Sequence, residues 1–166
     1  ILPLYYTSRY ASLAVIWNKN DKQADPSYGL DEAGYNKYNV NTWALDLSNG
    51  GEDTKIFVDG DYFYHTDVFG NFVFIRNRFT GLVAPEPFPR YVYDNQQAAF
   101  SMSGGGTNSN IFIDGNYFYY TSNTGNHIFI RDKISGQPAP NNFARYIYDN
   151  DQAGFSMSGG GQNSSI

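Results

Sequence analysis

Short apolar and aromatic runs alternate with turn residues along most of this chain, and no segment keeps a sustained 3.6-residue period. The stretch from Ile111 to Tyr120 sets Asp-Gly between two aromatic and β-branched runs, which predicts a hairpin with a type I′ turn. Ser122–Asn126 reads as a second turn and His127–Arg131 as a third strand. The stretch from Ile134 to Pro140 must be loop, because its two prolines cannot donate to a ladder. Arg145–Asp149 and Gly154–Ser158 predict two further short strands, ended by the turn-forming run Gly159-Gly160-Gly161. The expected class is all-β.

The same pattern occurs twice in full. Residues 56–110 and 111–165 align at a constant offset of 55 without a gap, and roughly 33 of the 55 positions are identical. A divergent copy precedes them. Tyr5-Tyr6-Thr7-Ser8 matches Tyr119-Tyr120-Thr121-Ser122, Val15-Ile16 falls on Phe129-Ile130, and Pro26 falls on Pro140. The chain therefore divides into three units, 1–55, 56–110 and 111–166, within one repeat domain. Ile1 corresponds to Gly115 in the middle of a unit, and Ile166 to Ile111 at the start of one. That phase fits either ring closure by the two ends or a fragment of a longer array.

Composition narrows the partners. At 166 residues the chain can bury a real core. With no Cys it offers neither a disulfide framework nor a thiolate metal site. A net charge of −5 argues against nucleic acid, which needs clustered Lys and Arg. No apolar run approaches the ~20 residues that span a bilayer as a helix, so no membrane insertion is expected. The aromatic fraction, 18% with 15 Tyr and 13 Phe, exceeds the charged fraction of 16%, so the usual charged surface gives way to rings.

The opening half of each unit resembles the blades of β-propellers of the NHL and YVTN type. The residues that carry the resemblance are Asp114-Gly115-Asn116, Tyr119, Gly125-Asn126-His127-Ile128 and Arg131-Asp132. They recur as Asp59-Gly60, Tyr64, Gly70-Asn71 and Arg76. The resemblance implies three four-stranded blades, either half of a six-bladed ring completed by a homodimer or part of a longer propeller, since three blades cannot close a channel. The second half, from Pro140 to Gly161, is longer than those families lead one to expect, and the Trp-rich pattern of fungal fucose-type lectin blades is missing. A β-trefoil is the alternative, and it accounts directly for the count of three.

Candidate chemistry is sparse. His65 and His127 occupy different places in the unit and lack a ligand spacing, so they read as strand residues. Asp59-Gly60-Asp61 with Asp67 looks faintly like a calcium loop, but Asn116 and Ser122 replace two of its oxygens in the third unit, and a hairpin turn is the simpler reading. Arg76 and Arg131 sit within apolar strands, where a charge needs a partner or water. Arg90-Tyr91 with Asp94-Asn95 recurs as Arg145-Tyr146 with Asp149-Asn150; in the first unit Trp17 takes the place of Arg76, and Arg90-Tyr91 has no clear counterpart. Guanidinium planes, Tyr faces and Asp or Asn acceptors are groups that bind sugars. The competing reading is that the same residues form ion pairs and packing between units.

These features lead to the expectation of a non-catalytic, multivalent carbohydrate-binding module whose equivalent sites gain avidity together. A structural or adhesive repeat protein of a surface, fibre or viral appendage is the alternative. An enzyme is not expected, because no nucleophile–base set or repeated carboxylate pair can be named, and no cofactor is expected either. Asn163-Ser164-Ser165 is a glycosylation sequon and points to the outside of a cell.

Overall fold

The computed structural model describes Leu47 and residues 49–166, together with the backbone of three strands nearer the N-terminus. Those three are β1 (Leu4–Thr7), β2 (Leu13–Trp17) and β3 (Ala44–Asp46), an antiparallel meander in the order β1-β2-β3. Their register pairs Tyr5 with Ile16 and Tyr6 with Val15. In the third unit Tyr119 pairs with Ile130 and Tyr120 with Phe129, so the alignment of the divergent copy holds in the backbone. The class is all-β, with no helix among the described residues.

The second unit contributes β4 (Ile56–Asp59), β5 (Tyr62–Thr66), β6 (Phe72–Asn77), β7 (Arg90–Tyr91) and β8 (Asp94–Ser101). The third repeats them as β9 (Ile111–Asp114), β10 (Tyr117–Thr121), β11 (His127–Asp132), β12 (Arg145–Tyr146) and β13 (Asp149–Ser156). Each unit is one antiparallel sheet of five strands, ordered β4-β5-β6-β8-β7 and β9-β10-β11-β13-β12.

Two expectations are corrected here. The second and third units hold five strands instead of four. The extra strand arises because the chain leaving β6 crosses to the far edge, forms the two-residue β7, and turns back so that β8 lies beside β6. The strand expected at Arg145–Asp149 is thus split by a tight turn at Ile147-Tyr148, and the strand expected from Gly154 already begins at Asp149. The first hairpin turn also differs. Gly60 has φ +53° while Asp61 keeps a negative φ, which is the sign pattern of a type II′ turn with Gly at the first central position. In the second turn of the unit the Asp67 carboxylate accepts the backbone N–H groups of Asn71 and Phe72 at 2.7 and 2.9 Å. Ser122 Oγ does the same for Asn126 and His127.

Why the central strands are apolar throughout follows from stacking. β6 and β11 bury Val-Phe-Ile-Arg (73–76) and Ile-Phe-Ile-Arg (128–131) at four successive positions, three of them apolar. A strand with sheets against both faces needs apolar residues on both. The edge strand β9 instead alternates, with Ile111 and Ile113 buried and Phe112 and Asp114 exposed. Register assigns Phe118, Tyr120 and Phe129 to one face of the third sheet and Tyr117, Tyr119, Ile128, Ile130 and Phe155 to the other. The first set, with Ile111 and Ile113, forms one continuous core with Tyr64, Val73, Ile75, Ala98, Phe100 and Met102 of the second unit. The two sheets therefore pack face to face. Phe118 meets Phe100 edge-on at 5.1 Å and Tyr64 at 6.2 Å. Polar contacts frame this core: Tyr120 donates to the Ser103 carbonyl at 2.9 Å, the Asn123 N–H to the Gly104 carbonyl at 3.1 Å, and Lys133 pairs with Asp59 at 2.6 Å.

Candidate functional site

The repeated arginines serve the fold. Arg131 lies buried and donates to the Tyr120 hydroxyl, the Gly136 carbonyl and Gln152 Oε1 at 3.3, 2.9 and 3.2 Å. Arg76 donates to the Gly81 carbonyl and Gln97 Oε1, both at 3.1 Å. Each ties the loop after the third strand to the strand beside it, where an unpaired buried charge would be costly. Arg90 reaches the Ala84 carbonyl at 3.0 Å and Glu86 at 3.2 Å. Arg145 reaches the Ala139 carbonyl and Asn141 Oδ1, both at 2.8 Å. The ion pair between units is Lys133–Asp59, which the sequence pattern of Arg and Asp did not single out.

The tyrosines next to those arginines stand in aromatic columns. Tyr146 packs edge-on against Phe129 at 5.0 Å, His127 at 4.9 Å and Tyr148 at 5.4 Å. Tyr91 repeats this with Phe74 at 5.0 Å, Phe72 at 4.9 Å and Tyr93 at 5.5 Å. Each column runs from the buried sheet to the hairpin tip, where Tyr93 and Tyr148 are 79% and 77% exposed beside Val92 and Ile147. Turn tips ordinarily carry Gly, Asn or Asp; here both units present an aliphatic residue and a tyrosine to solvent.

Beyond the tip the strand bulges. Tyr146 pairs with Asp149, but Arg145 pairs with Ala153, so Asn150, Asp151 and Gln152 are displaced from the ladder. The Asp149 carboxylate holds the bulge by accepting the Asp151 N–H at 3.0 Å, as Asp94 does for Gln96 at 2.9 Å. Bulges re-aim side chains. Here the bulge turns Asp149 and Gln152 toward the aromatic column of the third unit.

A surface cleft of about 300 Å³ lies there, at the seam of the second and third units. Its aromatic wall is His127, Phe129 and Tyr146; its polar wall is Asp149, Gln152 and the turn Ser122–Thr124; its floor on the other unit is Ser103 and Gly104. Asn123 is fixed across the seam, its Oδ1 accepting from the Asn108 backbone and side chain at 3.3 and 3.4 Å. Gln152 gives its oxygen to Arg131, which leaves its NH₂ as the donor on the cleft side. The volume is at the lower end of small-ligand sites, ~300–1,000 Å³. Donor, carboxylate and ring edges in one concavity suit a polyhydroxylated ring.

Of the residues singled out from sequence, Tyr146 and Asp149 are brought together in this cleft. Tyr91 and Asp94 occupy the equivalent place in the second unit. Asn95 and Asn150 are exposed in the bulges. Arg76, Arg90, Arg131 and Arg145 stand behind the columns as loop clamps, and the side chain of Trp17 lies outside the described residues. His127, which reads from sequence as an ordinary strand residue, lines the cleft, and Asn123 and Gln152 join it without having been singled out. Gln152 could have been found, since it recurs as Gln97 close to the recurring Asp-Asn pair.

His65 takes the position of Tyr120. It is fully buried and stacked on Phe74 at 5.4 Å, with Nδ1 3.2 Å from the Thr66 carbonyl. Burial, with the Arg76 charge adding to it, pushes its pKa down to about 3, while the Thr66 bond acts in the opposite direction. Among the described residues no group of three or more His, Cys, Asp or Glu could hold a metal ion. Comparison with protein-family models, with curated proteins and with solved structures finds no match to this chain.

Proposed function

We propose that this chain is a non-catalytic carbohydrate-binding module, with the seam cleft of the third unit as its site. The observation that carries the reading is the placement of Tyr146 and His127 rings against Asp149 and the free NH₂ of Gln152 in one solvent-open concavity. An aromatic ring covers the C–H surface of a sugar with its face, and the carboxylate and amide take its hydroxyls. The arginines support the site from behind: Arg131 sets the orientation of Gln152. The binder works outside the cell, where glycoconjugates are presented, and recurrence of the column at Tyr91 gives it multivalency.

The units are propeller-blade-like in this reading. Support comes from sheets that stack face to face while sharing no strand pairing between the second and third units. A β-trefoil would join its units through hydrogen-bonded strands.

A broad glycan array tests the function. The expected result is binding to a defined sugar class that weakens at low ligand density and falls at least tenfold in Tyr146→Ala and in Asp149→Asn. A blank array with functioning controls refutes it. The second reading, a structural repeat whose partner is protein, is favoured by one observation: all four recurring arginines bind loop carbonyls.

A further inference from the structure

The frame of the seam cleft recurs one unit earlier. Leu47 and residues 49–54 close the first unit as Met102 and residues 104–109 close the second. Leu47 and Met102 are both buried, and each carbonyl accepts from the glycine three residues on at 2.7 Å. Asn49, with φ +69°, repeats the left-handed conformation of Gly104 at +81°. The Val68 N–H donates to the Asn49 carbonyl at 2.9 Å, as the Asn123 N–H donates to that of Gly104 at 3.1 Å. A Cβ on Gly51 would collide with Val68, and one on Gly106 with Asn123. The second turn of the second unit is thus seated on the close of the first unit, as that of the third unit is on the close of the second.

The rest of the frame recurs with it. Gln97 gives its oxygen to Arg76 at 3.1 Å, which leaves its NH₂ as a donor. Phe72, Tyr91 and Gln97 are half-buried and Asp94 is exposed, position for position as around the cleft of the third unit. What changes is the wall formed by the turn. Where the third unit has Asn123, Thr124 and His127, the second has Val68, Phe69 and Phe72. Asp67 replaces Ser122, and its carboxylate is engaged by the N–H groups of Asn71 and Phe72. Phe69 is 63% exposed at a turn position where polar residues are the rule. A hydrogen-bonding wall has become an apolar one, while the Asp94 acceptor and the Gln97 donor remain.

We propose that the junction of the first and second units holds a second binding cleft, and that it takes a sugar bearing an aromatic substituent. The sugar hydroxyls bind Asp94 and the Gln97 amide, and the substituent packs against Val68, Phe69 and Phe72. The proposal rests on the carbohydrate reading of the third unit and assigns the two clefts different ligands. A planar substituent suits the second because Phe72, Tyr91 and Tyr93 stand at 74° to 85° to one another, so an incoming ring meets the face of one and the edge of the next.

Titration calorimetry of the 166-residue chain with methyl and phenyl glycosides of one set of sugars tests this. The expected result is a phenyl glycoside about tenfold tighter than its methyl partner. That preference is lost in Val68→Asn/Phe69→Thr, which carries the third unit's residues at both positions and so keeps a turn the chain already forms. Circular dichroism confirms that the variant is folded. Methyl glycoside binding survives in it and is lost in Asp149→Asn. Asp94→Asn, at an exposed position, weakens the phenyl glycosides alone and is independent of the turn. Methyl glycosides that bind as tightly as phenyl ones overturn the proposal and leave the carbohydrate reading standing. So does a phenyl preference that survives both variants of the second unit. Phenyl glycosides that bind where methyl ones do not, and fail in Val68→Asn/Phe69→Thr, sustain the second cleft while refuting the sugar site of the third unit. Binding by neither set overturns both.

Discussion

His65→Phe isolates a pH-dependent term in the stability of the second unit. In the folded chain the imidazole is buried, neutral, and holds off protonation until about pH 3. In the unfolded chain it takes up a proton near pH 6.5. Below pH 6.5 the unfolded state therefore binds the extra proton, and stability falls as pH drops, with the term fully present above pH 6.5 and lost toward pH 3. Each pH unit in that window is worth ~1.4 kcal/mol, so going from pH 7 to pH 4.5 removes about 2–3 kcal/mol. Phenylalanine fits, because the position stacks on Phe74 and is a tyrosine in the third unit. Its absolute effect mixes the loss of the Thr66 bond with removal of an Nε2 that has no partner among the described residues, so only the difference between pH values is informative. Urea unfolding of both proteins at pH 7 and pH 4.5 gives that difference directly. Carboxylates that titrate in the same range cancel between the two. Wild type should lose about 2–3 kcal/mol more than the variant on acidification; parallel losses would refute a neutral, buried His65.

The other predictions use the internal repeat as its own control. Tyr64 is buried with its hydroxyl unpartnered among the described residues, whereas the Tyr120 hydroxyl donates to Ser103 and accepts from Arg131. Tyr64→Phe should therefore raise the melting temperature slightly, and Tyr120→Phe should cost about 1–3 kcal/mol; equal effects would contradict the assignment. Gly104 and Gly159 both adopt positive φ, +81° and +78°, but only Gly104 is packed against a ring. Gly159→Ala should cost about 1 kcal/mol for backbone conformation alone, and Gly104→Ala measurably more in the same denaturation assay. Arg131→Met leaves the Gly136 carbonyl and Gln152 without their donor and should cost about 2–4 kcal/mol. If the cleft binds as proposed, it should also weaken sugar binding more than Arg76→Met does.

Much of the architecture was legible because repetition and turn chemistry are local signals. The 55-residue offset, the first three strands of each unit and the glycine turns follow from residues adjacent in sequence. The sheet order did not, since the strand expected at Arg145–Asp149 shows neither the turn that splits it nor that β13 lies inside β12. Nor did the role of the arginines. A guanidinium in an apolar strand announces that it needs a partner, but Arg131 finds carbonyls of the next loop, and every residue has a carbonyl. The cleft was half legible: Tyr146 and Asp149 are neighbours in a recurring motif, while Ser103, Asn123 and Gln152 meet them only because two units stack.

That last point bears on why the repeat is useful at all. A single five-stranded sheet with Tyr, Phe and Ile on both faces is not stable alone, since each face needs another sheet. Stacking solves the burial problem and, in the same step, makes the seam of the second and third units with its concave rim. On the proposed reading, binding and folding share one interface: Tyr120 fixes the seam through Ser103, and Arg131, bonded to that same tyrosine, orients the Gln152 that lines the cleft. A substitution that loosens the seam should disturb the rim as well. Divergence at the rim need not loosen the seam. Asp67-Val68-Phe69 in the second unit stands where Ser122-Asn123-Thr124 stands in the third, yet the turn is capped in both, by a carboxylate in one and a hydroxyl in the other. The core of the unit is therefore the constrained part, and the turn beside the aromatic column is where units are free to differ.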